Sequence, residues 1–281
     1  MTLRAITPIN IEKRLKALFY GKAGTGKTFC AIQFPKPYLI DTEKGAENDQ
    51  YVKRLQQSEG VIFQTNDFDE LLTEVKSLLS EKHTYKTLII DPLTIIYNDL
   101  IDKESLRIGT DFGRHIVAAN KRMKALNNLL MKLDMNVIIT AHAKNEYGNN
   151  MALLGTTFDC FKGADHFFDI VFETQKRGKN YVSMIKKSRL DAFSEGEVID
   201  FNYENISSLY GRNMLEKDSE QKELATSQQV TELLRLINLL KIPEEIYQKW
   251  LKREDIESFD FMSSINILKC TDYCQSKIKG E

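Results

Sequence analysis

The stretch ALFYGKAGTGKTFCAIQF, Ala17 to Phe34, decides how the rest of the chain is read. An apolar run breaks at Gly21, passes Gly24 and Gly26, and resumes with helical character after Lys27-Thr28. Gly21, four residues, then Gly26-Lys27-Thr28 is the Walker A or P-loop spacing, and it stands where that motif works, after an apolar strand and before a helix. Glycines let backbone N–H groups curl around phosphate oxygens, and the following helix N-terminus adds partial positive charge. Lys27 is then the cation for the β- and γ-phosphates, and the Thr28 hydroxyl a ligand for Mg²⁺. The candidate nucleotide-binding residues are Gly21, Lys22, Ala23, Gly24, Thr25, Gly26, Lys27, Thr28 and Phe29, with ATP and Mg²⁺ as cofactors. The competing reading is a chance glycine-rich turn, an accident on the order of one in a hundred for a chain of ordinary glycine usage.

The bulk composition leaves room for that chemistry. With 281 residues the chain can bury the core of one large α/β domain or of one domain with a small appendage. Lys plus Arg number 39 against 40 Asp plus Glu, a net charge of -1, so no global positive field marks nucleic acid or membrane as the partner. Any such contact has to be local. Cys30, Cys160, Cys270 and Cys274 form no CxxC pair and no metal-ligand spacing, which favours reduced thiols. Cys270 and Cys274, one helical turn apart, are expected to pack. No signal-peptide pattern opens the chain and no apolar run approaches the roughly 20 residues of a membrane span. The expectation is a soluble protein of the cytoplasm, in a bacterial or phage-infected cell, with no membrane partner.

From Leu15 to about Tyr203, short β-branched runs alternate with amphipathic helical patterns, which predicts an α/β fold with a mostly parallel sheet flanked by helices. The strand candidates are LKALFY, PYLID, VIF, TLIID, NVIITA, DIVFET, NYVSMIK and EVIDF. Phe68 to Leu79 and Ile116 to Leu133 read as helices. The last three strands lack helices between them and predict an antiparallel edge, with Arg177 to Asn180 as the turn. Residues 1–215 form the expected core and the charged stretch 216–227 a linker. Residues 228–281 form the expected C-terminal helical module, capped at Thr226 or Ser227, with Val230, Leu233, Leu234, Ile237 and Leu240 on one face. Pro243 opens its second helix, leading to Trp250, which is read as core.

Other candidates fall at strand ends. TLIID delivers Asp91 at the carboxyl edge, where open α/β sheets bind ligands, as a Walker B carboxylate for Mg²⁺. AAA-plus ATPases place a water-activating Glu directly after it, whereas this chain has Pro92. Asp41-Thr42-Glu43, after the strand that follows the P-loop helix, resembles the Asp-x-Glu of RecA-type core ATPases. That resemblance implies Glu43 as the base that orients the attacking water. The alternative is a solvated loop carboxylate. In the same resemblance NVIITA lies between the two Walker strands and ends in a γ-phosphate sensor, usually Gln and here His142; the alternative is a structural histidine. Lys187-Ser188-Arg189 resembles the cationic element that reaches a neighbouring subunit's γ-phosphate, against the plainer role of a charged edge strand.

With the order GKAGTGKT, IDTEKG, IIDPLT and TAH, the resemblance covers Lys16 to Phe201. It is to phage-encoded minimal RecA-core ATPases of single-strand annealing and recombination. It implies DNA-stimulated ATP hydrolysis, single-stranded DNA as partner, and a homo-oligomer with Lys187 and Arg189 acting in trans. The DNA-holding regions would be DKESLRIGTDFGRH and KNEYGNNMALLGTTFDCFKGAD, with Arg107, Arg114, Lys144 and Lys162 for phosphates and Tyr147 for stacking. The helical tail could meet a single-strand-binding protein or a neighbouring subunit, and its acidic excess disfavours DNA. Two other functions are compatible with the residues: an ATP-gated helicase loader or binding switch acting through a protein partner, and a small-molecule kinase.

Overall fold

A computed structural model describes residues 13–148, 151–221, 224–254, 256 and 258–279. The first twelve residues, Asn149 and Asn150 of the second candidate DNA region, and residues 222–223 of the expected linker lie outside the described residues.

The described residues open with the Walker A unit, β1 (Lys16–Gly21) and the short α1 (Lys27–Ala31), followed by β2 (Pro37–Asp41), α2 (Asp49–Gln57), β3 (Val61–Gln64) and α3 (Phe68–Ser80). Next come β4 (Thr87–Asp91), α4 (Leu93–Ile108), α5 (Arg114–Lys132), β5 (Asn136–Tyr147) and β6 (Leu153–Phe158). The core closes with β7 (Ile170–Arg177), β8 (Asn180–Ser188), β9 (Val198–Asp200), α6 (Tyr203–Tyr210) and α7 (Arg212–Glu216). Three helices follow: α8 (Ser227–Leu239), α9 (Glu244–Glu254) and α10 (Ser264–Lys279).

The main sheet runs β3-β2-β4-β5-β1-β7-β8-β9. From β3 to β7 in that order the strands are parallel, and β8 and β9 add antiparallel at one edge. Strand β5 separates the two Walker strands: it pairs with β1 from Lys16↔Val137 to Gly21↔His142, and with β4 from Thr87↔Asn136 to Ile90↔Ile139. Both sheet faces are covered, so the strands are continuous apolar runs whose alternate residues enter different cores. Leu18, Tyr20, Ile90 and Ile139 pack under α3, α4 and α5. Ala17, Phe19, Ile89, Ile138 and Phe172 face the opposite core with Cys30 of α1, Leu55 of α2 and Ile206 of α6.

Two features depart from the sequence-based expectation. The second candidate DNA region is mostly a hairpin: β5 continues past His142 to Tyr147, and β6, absent from the predicted strands, pairs antiparallel to it from Ala143↔Phe158. Its Thr-rich LLGTTF suits a strand, but Gly155 and the turn residues mask the alternation. In α8, Leu234 is 44 % exposed and Leu236 is buried in its place. At 100° per residue, Leu234 and Leu236 flank the Val230–Leu233–Ile237 stripe on opposite sides, and it is the Leu236 side that meets the core. Thr226 caps α8 reciprocally with Gln229. Val230, Leu233, Ile267 and Cys274 share a small core of their own, with Trp250 half-buried against it and edge-on to Tyr273. The tail touches the sheet domain where Lys132 Nζ donates to Glu254 O at 3.0 Å and Lys76 lies over the Phe261 ring. All four cysteines are free thiols. No described helix is long and apolar enough to cross a membrane.

Candidate nucleotide site

The loop between β1 and α1 is held by its neighbours. Thr25 Oγ1 donates to Lys22 O at 2.8 Å and meets Thr174 Oγ1 of β7 at 2.7 Å. At Gly21 the backbone approaches β7 so closely that a Cβ would stand 2.3 Å from Thr174 Oγ1 and 2.6 Å from its carbonyl oxygen. Gly26 has φ 89°, a left-handed backbone that favours glycine, and so turns the chain into α1. Lys22, Ala23 and Gly24 are exposed along the mouth of the loop. Phe29 is half-buried, with the Arg54 guanidinium 3.9 Å from its ring centroid.

Lys27 is buried and donates to Gly21 O and Lys22 O, each at 3.0 Å. Desolvation pulls its ammonium below the ordinary lysine range, while the nearby Asp91 and Glu43 carboxylates oppose the shift. Thr28 Oγ1 donates to Asp91 Oδ2 at 2.5 Å, and Thr140 of β5 donates to Asp91 Oδ1. Burial lifts the Asp91 carboxyl above the ordinary aspartate range, more than these two hydroxyls and Lys27 lower it. A hydroxyl and a carboxylate oxygen in contact at the lip of a glycine loop are hard oxygen donors of the kind Mg²⁺ takes. Mg²⁺ and a triphosphate therefore fit the residues present: Thr28 and Asp91 for the metal, Lys27 and the loop N–H groups for the phosphates.

Each residue of Asp41-Thr42-Glu43 has a separate job. The Asp41 carboxylate accepts from the N–H groups of Glu43 at 3.3 Å, Gly45 at 3.2 Å and Ala46 at 2.9 Å, which fixes the turn after β2. Thr42 N donates to Asp91 O and Thr42 Oγ1 to Pro92 O, both at 2.9 Å, so this turn is laced to the backbone of the Walker B residue and of the residue after it. Glu43 is left to face the site, where its Oε1 lies 3.1 Å from His142 Nε2. Thr94 of α4 holds the base of the hairpin from below: its hydroxyl accepts from His142 N at 2.9 Å and donates to Asp159 O at 2.8 Å.

The fold thus brings Lys27, Thr28, Glu43, Asp91 and His142 to one sheet edge. Lys187 and Arg189 do not join them. Strand β8 runs antiparallel to β7, so Tyr181 lies near the P-loop edge while Lys187, paired with Val171, lies toward the opposite edge. Lys187 Nζ donates to Phe168 O at 3.0 Å and to Asp165 O, and Arg189 Nη2 to His166 O at 2.7 Å. Within one subunit neither cation meets the phosphate site. Three of the four candidate DNA-binding cations are paired with carboxylates: Arg107 with Glu104, Arg114 with Asp111, and Lys144 with Asp159. Tyr147 is exposed on the hairpin. The sequence reading missed Thr140 and Thr174, which brace Asp91 and the loop; both stand on apolar strands at positions where a hydroxyl is out of pattern, and that was the available signal.

A P-loop entering a helix, a carboxylate on a strand one place removed from it, and β5 inserted between the two define a P-loop nucleoside triphosphatase fold of the RecA/AAA type. A family model described as AAA domain matches residues 13–152. No curated protein matches the chain. Among solved structures, the crystal structure of the RadB recombinase is similar at 18 % identity, with 66 % of this chain and 84 % of that chain covered and a TM-score of 0.44.

Proposed function

We propose that the chain is a Mg-ATP-hydrolysing, RecA-like ATPase that binds single-stranded DNA in recombination or annealing. The observation that carries this reading is the contact of Glu43 with His142, because His142 stands where β5 leaves the sheet to become the hairpin. A water activated by Glu43 and a γ-phosphate touched by His142 would share one contact with the hairpin that offers Lys144 and Tyr147 to a strand. Bound Mg²⁺ would neutralise charge on the β- and γ-phosphates; Thr28 and Asp91 would hold it, Lys27 would bind the same phosphates, and Glu43 would orient the water. Lys187 and Arg189, at the other end of the sheet, would act only on the site of a neighbouring subunit in a homo-oligomer, after leaving their carbonyl partners. The helical tail is the surface proposed for a single-strand-binding protein.

A second reading is an ATP-gated loader or switch acting through a protein partner. It is favoured by the internal pairing of Arg107, Arg114 and Lys144, which a DNA backbone would have to displace. The steady-state ATPase rate with and without single-stranded DNA, at low and moderate salt, separates the two. Strong, salt-sensitive stimulation supports the first. A rate indifferent to DNA moves the assignment to the second.

A further inference from the structure

We infer that the ring of Tyr181 is the nucleobase platform of the site, so that the ligand is a nucleoside triphosphate held by base stacking and not an inorganic polyphosphate. This rests on the proposed nucleotide binding at the P-loop.

The sheet order gives the bound molecule a direction. Asp91 ends β4, Glu43 follows β2 and His142 ends the part of β5 paired with β1, and all three strands lie on one side of β1. The groups suited to a terminal phosphate and its attacking water are therefore on that side. A triphosphate lying along the loop with its γ end there must send its nucleoside the other way, over β7 and β8.

Tyr181 is an aromatic residue at the loop on that side. It is the second residue of β8, beside the Arg177–Asn180 turn. Its ring lies so near the loop that a Cβ at Gly26 would stand 2.7 Å from both Cγ and Cδ1. The ring is half-buried, tilted 45° to Phe29 with centroids 5.6 Å apart. Phe29 already has one face covered by Arg54, whereas over Tyr181 stands the ammonium of Lys176, an exposed side chain, 5.7 Å from the ring centroid. A flat ring beside a loop glycine, overhung by a movable cation, can take a base on its π-face. Such stacking accepts any base, because every base has that face.

The test measures the affinity of the full chain for Mg-ATP, Mg-GTP and Mg-tripolyphosphate by calorimetry, for the wild type, Tyr181→Ala and Tyr181→Phe. The expected result is about tenfold or greater weakening of both nucleotides in Tyr181→Ala. Tripolyphosphate affinity should stay unchanged in that variant, which also shows the loop to be intact, and Tyr181→Phe should restore nucleotide binding. Equal weakening of nucleotide and tripolyphosphate would make the ring a support for the loop and overturn the platform, as would no change at all. A wild type that binds tripolyphosphate as tightly as ATP would overturn the platform while leaving the phosphate site standing. A wild type that binds none of the three would overturn both.

Discussion

Glu43 Oε1 and His142 Nε2, 3.1 Å apart, meet across β4, the strand that carries Asp91, because β2 and β5 flank it in the sheet. Both side chains are partly open to solvent, and an exposed pair of this kind contributes roughly 0–1 kcal/mol to stability. Its consequence is therefore geometric: the imidazole fixes the carboxylate. Glu43→Gln should bind ATP normally and lose turnover by about 10²–10⁴-fold. His142→Ala should lose less, since the carboxylate survives without its partner. Single-turnover hydrolysis with a parallel ATP-binding titration checks both, and normal turnover in Glu43→Gln would remove Glu43 as the base.

Asp91 gives a pH-dependent stability whose sign is opposite to that of a salt-bridged carboxylate. Its folded-state pKa lies above the ordinary aspartate value of about 3.9, chiefly through burial. The stability from the protonated form is full below that ordinary value and is lost as pH rises through the folded one. Asp91→Asn removes this penalty, with the amide able to serve both threonine hydroxyls. The variant should melt at or above the wild-type temperature at neutral pH without ligand, yet show no thermal shift with Mg-ATP, which stabilises only a chain that binds it. A retained ligand shift would contradict the metal assignment of Asp91.

The parts of the fold legible in the sequence are those where local pattern and tertiary role agree. The run Thr87–Asp91 is apolar because both sheet faces are covered, and it ends in a carboxylate because the site begins there. Asp41-Thr42-Glu43 was legible by its spacing, but the division of labour between Asp41 as turn holder and Glu43 as free carboxylate depends on N–H groups that only the folded turn presents. The hairpin does not show in the sequence because β6 is only partly buried, so no apolar stripe announces it. Lys187 could be placed on a strand from sequence, but which end of the sheet it occupies follows from the antiparallel return of β8, a tertiary fact.

Gly21 tests the contact of the P-loop with β7. A methyl group there would press on both the side chain and the carbonyl of Thr174, and the carbonyl belongs to a strand paired with β1. Gly21→Ala should destabilise by about 1–3 kcal/mol, as overpacked cores do. It should also weaken ATP binding, because the loop must shift to make room. Denaturant unfolding and an ATP titration together check this; a variant as stable as wild type would mean that β7 yields easily.

Glu104 supplies the converse pH signature. Its side chain is 2 % exposed on α4 and accepts from Arg107 Nη2 at 2.5 Å and Nε at 2.9 Å, with Arg122 Nη1 of α5 at 3.3 Å. The Arg107 hydrogen bonds hold the carboxyl below the ordinary glutamate range, aided by Arg122 and opposed by burial. A depressed pKa means that the stabilisation is present above the unfolded value, about 4.3, and is lost as pH falls through the folded one. Glu104→Gln keeps the shape and removes the charge. Both arginines reach solvent, so the loss at neutral pH should be near 1–3 kcal/mol, below that for a fully buried pair. Urea midpoints for the two proteins should converge as pH falls through the lowered folded-state pKa of Glu104, where the wild type takes up its proton. A gap that persists there would assign the loss to packing and not to charge.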